Sequence, residues 1–153
     1  MRTKSTRSTN SIAVQFATGR RGVPSARALR AWARAAGHRA GNVVVRIVGA
    51  REGRRLNRMY RDIDRATNVL SFAYQDPRRR VAGGDIVLCH PVIRREARAQ
   101  RKALAAHYAH LVVHGMLHLR GYDHHEKSAA LLMEKAEIRT LRRFGLRNPY
   151  ELK

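Results

Sequence analysis

His114, His118 and His124 are the residues whose types and spacing most directly imply chemistry in this chain. They lie in the segment HYAHLVVHGMLHLRGYDHH, which runs from His107 to His125. Histidines four apart share one face of a helix, about one turn from each other, which is the spacing used to chelate one metal ion from a single helix. Gly121 then ends the helix, and the chain turns through Tyr122 and Asp123, so that His124 can swing back as a third ligand. Three neutral imidazoles suit zinc and leave the fourth tetrahedral position for water or substrate. A structural zinc site usually closes all four positions, commonly with cysteines, and here the single cysteine, Cys89, is distant in sequence. The pattern therefore points to one zinc per chain, in a catalytic site. The plainer reading of two histidines at this spacing is hydrogen bonding inside a core. What outweighs it is the demanding H-x-x-x-H-x-x-G-x-x-H pattern, with a turn-making glycine before the last histidine. His107 and His110 lie near the same helical stripe, so helix geometry alone does not force the choice of ligands.

The same spacing occurs in the metzincin zinc proteases, H-E-x-x-H-x-x-G-x-x-H. Their general-base glutamate falls at Gly115 here, and glycine has no proton acceptor. A peptidase of that kind would lack its base. The nearest carboxylates, Asp123 and Glu126, are not at the protease position, and Asp123 is better placed to orient one of the ligands from behind.

The elements that must hold this segment follow from periodicity and from turn residues. Strands are expected at 12–18, 42–48, 67–73 and 84–90. Helices are expected at 26–36, opened by Pro24 and Ser25 and closed by Gly37, and at 50–60, where Leu56, Met59 and Tyr60 recur near helical spacing. Further helices are expected from Pro91 toward Arg98, from Leu104 to Leu119, and from Glu126 to Phe144. In the last of these, Ala130, Leu131, Met133, Leu141 and Phe144 read as the core-facing side. Strands early and long helices late make an α+β fold in a single compact domain. The domain is expected over residues 12–150, between a basic, Ser- and Thr-rich N-terminal segment, 1–11, and a short C-terminal tail, 151–153.

Charge sets the expected partner. Against 11 acidic residues stand 32 basic ones, a net charge of +21, and no acidic residue precedes Glu52. Such a chain seeks a polyanion, with RNA or DNA ahead of a membrane surface. The Arg78, Arg79, Arg80 loop could contact phosphate, although a triple arginine is more often a solvated loop. No apolar run approaches the ~20 residues that span a bilayer, so no membrane partner is expected. The lone Cys89 lies in an apolar run and reads as a small buried hydrophobe in a reducing compartment. An arginine-rich start also resembles an organelle transit peptide, but folded elements begin almost at once.

Four segments together resemble the YbeY family of bacterial ribosomal-RNA maturation factors, which are zinc-dependent endoribonucleases. They are AHYAHLVVHGMLHLRGYDH (106–124), LNRMYRDIDRATNVLSF (56–72), GDIVLC (84–89) and GLRNPY (145–150), in the family's order. The resemblance implies a mixed, four-stranded β-sheet packed against about five helices, with a zincin-like helix carrying the metal at His114, His118 and His124. It also implies a functional arginine after the tyrosine of the LN-x-x-Y-R motif, which is Arg61, and a supporting strand from Thr67 to Phe72. The implied role is single-strand cleavage in late maturation of the small-subunit ribosomal RNA 3′ end and in ribosome quality control, in the bacterial cytoplasm. The implied partners are ribosomal RNA and the small ribosomal subunit, with ribosomal proteins or an assembly GTPase as further candidates. Two rival readings are an assembly factor whose zinc site is mainly structural and a zinc hydrolase of other phosphoesters. For Arg61 the plainer alternative is a surface ion pair with Asp62 or Asp64. The charge of +21 departs from what is typical of the family.

Overall fold

Strand β2, Asn42–Val48, is where the fold is most strongly dictated by sequence, because its β-branched run NVVVRIV suits a pleated, largely buried position. In the computed structural model, which describes residues 11–37, 41–74 and 83–151, β2 lies inside a four-stranded sheet. Strand β1 (Ile12–Ala17) pairs parallel to it on one side and β4 (Gly83–Cys89) parallel on the other. Strand β3 (Val69–Ala73) closes the sheet, antiparallel to β4, and gives the order β1-β2-β4-β3. The parallel pair β1–β2 requires a crossover, supplied by helix α1 (Ala26–Ala36). Ser25 caps α1 by accepting the N–H of Ala28 on its hydroxyl, at 3.1 Å.

Alternation along β2 divides the core between the two faces of the sheet. Val43, Val45 and Ile47 point toward α1, α4 (Leu104–Leu119) and α5 (Lys127–Arg142). Val48 joins Leu70, Val87, Cys89 and Val92 on the opposite face, beneath α2 (Ala50–Arg61), while α3 (His90–Ala99) serves both cores, Val92 joining this one and Ile93 the first. Cys89 is buried and its thiol is pushed up by burial, so it is the inert hydrophobe expected. Helix α4 is buried on nearly all sides, as a helix apolar all round must be, and it runs through the centre of the molecule carrying the histidines.

Close approach between α4 and the sheet explains Gly115. A β-carbon there would lie 3.1 Å from both Ile86 Cγ2 and Ser71 Oγ. A side chain at this position would press on Ile86 and Ser71, which would have to shift by a few tenths of an ångström, so glycine suits the packing of α4 on the sheet.

The expected elements are present, with shifts at their ends. Strand β3 starts at Val69 rather than Thr67, because Asn68 turns its side chain back to accept the Val69 N–H. Helix α3 starts one residue early, at His90, so β4 ends at Cys89. The core-facing side of α5 needs correction. Its buried stripe is Met133, Ala136, Glu137, Thr140 and Leu141. Leu131 is 56% exposed because it lies off that stripe, and Phe144 is 39% exposed because it lies beyond the helix end at Arg142. Of the three α2 residues expected at helical spacing, Leu56 packs inward, while Met59 and Tyr60 are exposed. The basic segment 1–11, apart from Ser11, and the Arg78–Arg80 loop lie outside the described residues. No helix among the described residues is long and apolar enough to cross a membrane.

Gly84 marks the tightest approach that concerns the cleft described below. A β-carbon there would come within 2.4 Å of the Phe72 carbonyl oxygen and 2.7 Å of Leu119 Cδ2. Gly84→Ala is expected to destabilise the fold by about 1–3 kcal/mol through overpacking between β3, β4 and the end of α4. In a thermal melt each kcal/mol should lower the midpoint by about 2–4 °C for a chain of this size, and an unchanged midpoint would contradict the packing described.

Candidate active site

The third histidine reaches the other two because of how α4 stops. At its C-terminus the Tyr122 N–H donates to the Leu117 carbonyl and the Gly121 N–H to the His118 carbonyl, each at 3.0 Å. This is a Schellman arrangement, and it requires the left-handed backbone that Gly121 adopts at φ +97°. Asp123 then accepts the backbone N–H groups of His124 and His125 on one carboxylate oxygen, at 2.7 and 3.1 Å. The two turns fold His124 back over the helix end. Ligand nitrogens of His114, His118 and His124 lie within 4.8 Å of one another, a group that could hold a metal ion. Burial, and then the neighbouring imidazoles of His114 and His124, push the His118 pKa down, which favours the neutral form that a metal requires.

The two competing histidines on α4 are otherwise engaged. His107 Nε2 lies 2.9 Å from Glu96 Oε1. His110 Nε2 lies 3.2 Å from Glu137 Oε1 and 3.3 Å from the Tyr150 hydroxyl.

Glu137, which sequence reasoning did not single out, is the centre of this arrangement. Its side chain is fully buried and bonds to His114 Nδ1, His110 Nε2 and the Tyr150 hydroxyl. Burial alone would raise its pKa, but the hydrogen bonds from His110, His114 and Tyr150 prevail and lower it to about 2. An ionised carboxylate can only accept, so His114 must carry its proton on Nδ1. That leaves His114 Nε2 with the free lone pair a metal needs, the usual carboxylate–histidine–metal arrangement. The orienting role expected of Asp123 thus belongs to Glu137, since Asp123 serves the turn. A carboxylate four residues from both Met133 and Leu141, on a core-facing stripe, was the available signal.

Arg61 is the last residue of α2, and Asp62 after it caps the helix in the left-handed region at φ 59°. Asn57, buried in α2, donates its side-chain N–H to the Arg65 carbonyl at 2.8 Å and so fastens the connection to β3. The surface ion pair considered for Arg61 is not formed. Asp64 is held instead by a two-pronged contact from Arg54, at 2.7 and 3.0 Å. Arg61 donates through Nη2 to the Ser71 carbonyl at 3.1 Å, and its guanidinium carbon lies 5.2 Å from the centre of the Phe72 ring.

Arg61, β3 and the three histidines line one open cleft of about 620 Å³. The described residues lining it include no carboxylate. A second cleft of about 640 Å³, mostly apolar, lies against His110, Leu141 and the 145–149 segment, away from the triad. The first cleft therefore offers a cationic side chain and a group able to hold a cation together, a pairing suited to an anionic, phosphate-like ligand.

Comparison with known proteins identifies a family. The family model described as endoribonuclease YbeY matches residues 24–145. A protein of Thiobacillus denitrificans named endoribonuclease YbeY is 48% identical over 139 residues, covering 91% of this chain and 95% of its own. One of the same name from Aromatoleum aromaticum is 52% identical over 127 residues, covering 83% of this chain and 81% of its own. Among solved structures, the solution structure of a Thermotoga maritima protein aligns with a TM-score of 0.54 at 22% identity, covering 92% of this chain and 99% of that one. This last likeness concerns the fold.

Replacing Glu137 with glutamine keeps the shape and removes the charge that fixes the His114 tautomer. Glu137→Gln is expected to weaken divalent-metal binding by about 10- to 100-fold, measured by competition with a chromogenic chelator. Affinity equal to that of the unaltered chain would remove Glu137 from the site.

Proposed function

The chain belongs to the YbeY family of endoribonucleases, and we propose that it cleaves RNA at the cleft shared by Arg61 and the histidine triad. The observation that carries the reading is the convergence of three imidazoles beside a guanidinium that no described carboxylate engages.

The metal is proposed to be zinc, one ion per chain, held by His114, His118 and His124. The donor set fits: three nitrogens, one of them fixed in its tautomer by Glu137, and no cysteine to close a fourth position, since Cys89 is buried elsewhere. When bound, the ion would supply Lewis acidity toward a phosphoryl oxygen or toward water. The chain's own residues do the rest. Arg61, anchored by one N–H on the Ser71 carbonyl, keeps other donors for the phosphate and stabilises the extra negative charge of the transition state. The anchor fixes the side chain before substrate arrives, which reduces the entropy lost on binding.

The proposed substrate is single-stranded ribosomal RNA near the small-subunit 3′ end, in the bacterial cytoplasm. A net charge of +21 supports attraction to RNA without specifying a sequence.

The test is cleavage of a ribosomal-RNA 3′-end fragment by the purified chain, with Arg61→Ala and His118→Ala purified in parallel. Both variants are expected to lose activity by about 10²–10³-fold. Product ends identify the nucleophile, a 2′,3′-cyclic phosphate for the ribose hydroxyl and a 5′-phosphate for water. Equal cleavage by all three proteins, or by none, would overturn the assignment and favour a ribosome assembly factor.

A further inference from the structure

Beside the cleft, the end of α2 and strand β3 expose more aromatic and apolar surface than the fold requires. Tyr60 is 56% exposed, and its neighbours Met59 and Ile63 are 63% and 42% exposed. The Tyr60 ring lies 4.9 Å from the Phe72 ring, centre to centre, at an interplanar angle of 55°. Phe72 is half-buried and rests on the Leu70 and Val87 cluster, so it forms a firm backing rather than a free ring. Tyr74, two residues beyond Phe72, is 44% exposed, and its hydroxyl is tied to Asp85.

Arg61 joins this surface to the cleft. Its guanidinium sits over Phe72 on one side, and on the other it lines the cleft with the triad. A strand of RNA with a phosphate at Arg61 therefore has an adjoining base within reach of two aromatic rings and a planar cation. Stacking on aromatic side chains and on arginine is the chief means by which proteins hold unpaired bases, and duplex RNA offers no free base face for it.

We propose that Tyr60, backed by Phe72 and Arg61, is a stacking platform for one unpaired nucleobase next to the scissile phosphate. This deepens the endoribonuclease reading and rests on it. The platform makes the preference for single strands a property of the chain: the phosphate site accepts any RNA, and only a strand with a free base also fills the platform. The contact is to a ring face, so it tolerates any base.

The experiment uses the full chain carrying His118→Ala, so that the RNA survives, and a single-stranded oligoribonucleotide with 2-aminopurine placed at one position at a time. Adding Tyr60→Ala is expected to weaken single-strand binding about tenfold and to abolish the fluorescence quenching at one position. Tyr60→Phe should preserve both, and binding to a duplex of equal length should be unchanged by either substitution. Thermal melts confirm that the exposed site tolerates the changes. Equal weakening on duplex and single strand, or no weakening and no position-specific quenching, would overturn the platform. Cleavage by the unaltered chain, measured separately, decides the endoribonuclease reading, so the two failures are told apart.

Discussion

A carboxylate sealed in a protein interior survives as an anion only if donors answer it, and Glu137 is answered from three directions. Two of its partners come from α4 and one, Tyr150, from the C-terminal segment. Helix α5 must therefore lie against α4 with one particular rotation about its axis, and residues 145–150 must return to the same point. Met133 and Leu141 flank Glu137 on the stripe and fill the apolar space that excludes water from it. The same carboxylate settles which α4 histidines are free: His110 is drawn aside, while His114 is turned so that its other nitrogen faces the cleft.

The sheet contributes the opposite wall. Because β3 is antiparallel at the edge, the chain leaves α2, crosses beneath the cleft and brings Ser71 to Gly115 and Phe72 to Arg61. The bare α-carbon of Gly115 lets α4 settle close to Ile86 of β4 and Ser71 of β3. A side chain at that position would require Ile86 and Ser71 to give way by a few tenths of an ångström.

Much of this was legible in the sequence, and the reasons for the exceptions are physical. The bounds of α1 were readable from its Ser25 and Gly37 caps, those of β2 from its β-branched run and the end of α4 from Gly121, and the triad was readable because a helix and a glycine turn fix its spacing locally. The face of α5 was not, since Leu131 and Phe144 are as apolar as the residues that do face inward, and only contact with α4 separates them. The pattern pointed to His114 rather than His110, but the physical reason for the difference, the contacts of both with Glu137 and of His110 with Tyr150, joins residues distant in sequence. Releasing Arg61 from an ion pair needed Arg54, whose reach to Asp64 depends on the fold of the connection held by Asn57. Tyr60 counted only as a helix-period residue, because exposure is a property of the folded surface.

The triad is mechanically uneven. His114 and His118 stand on a helix locked into the core, whereas His124 is exposed and stands on a turn held by a glycine and one aspartate. An ion shared by these three residues would be gripped by two fixed jaws and one hinged one. All three ligands would contribute to its affinity, while its residence time would depend on how often the turn opens. Exchange of metal with the surroundings can then be fast or slow without any change in the helix, according to what happens between Gly121 and His124.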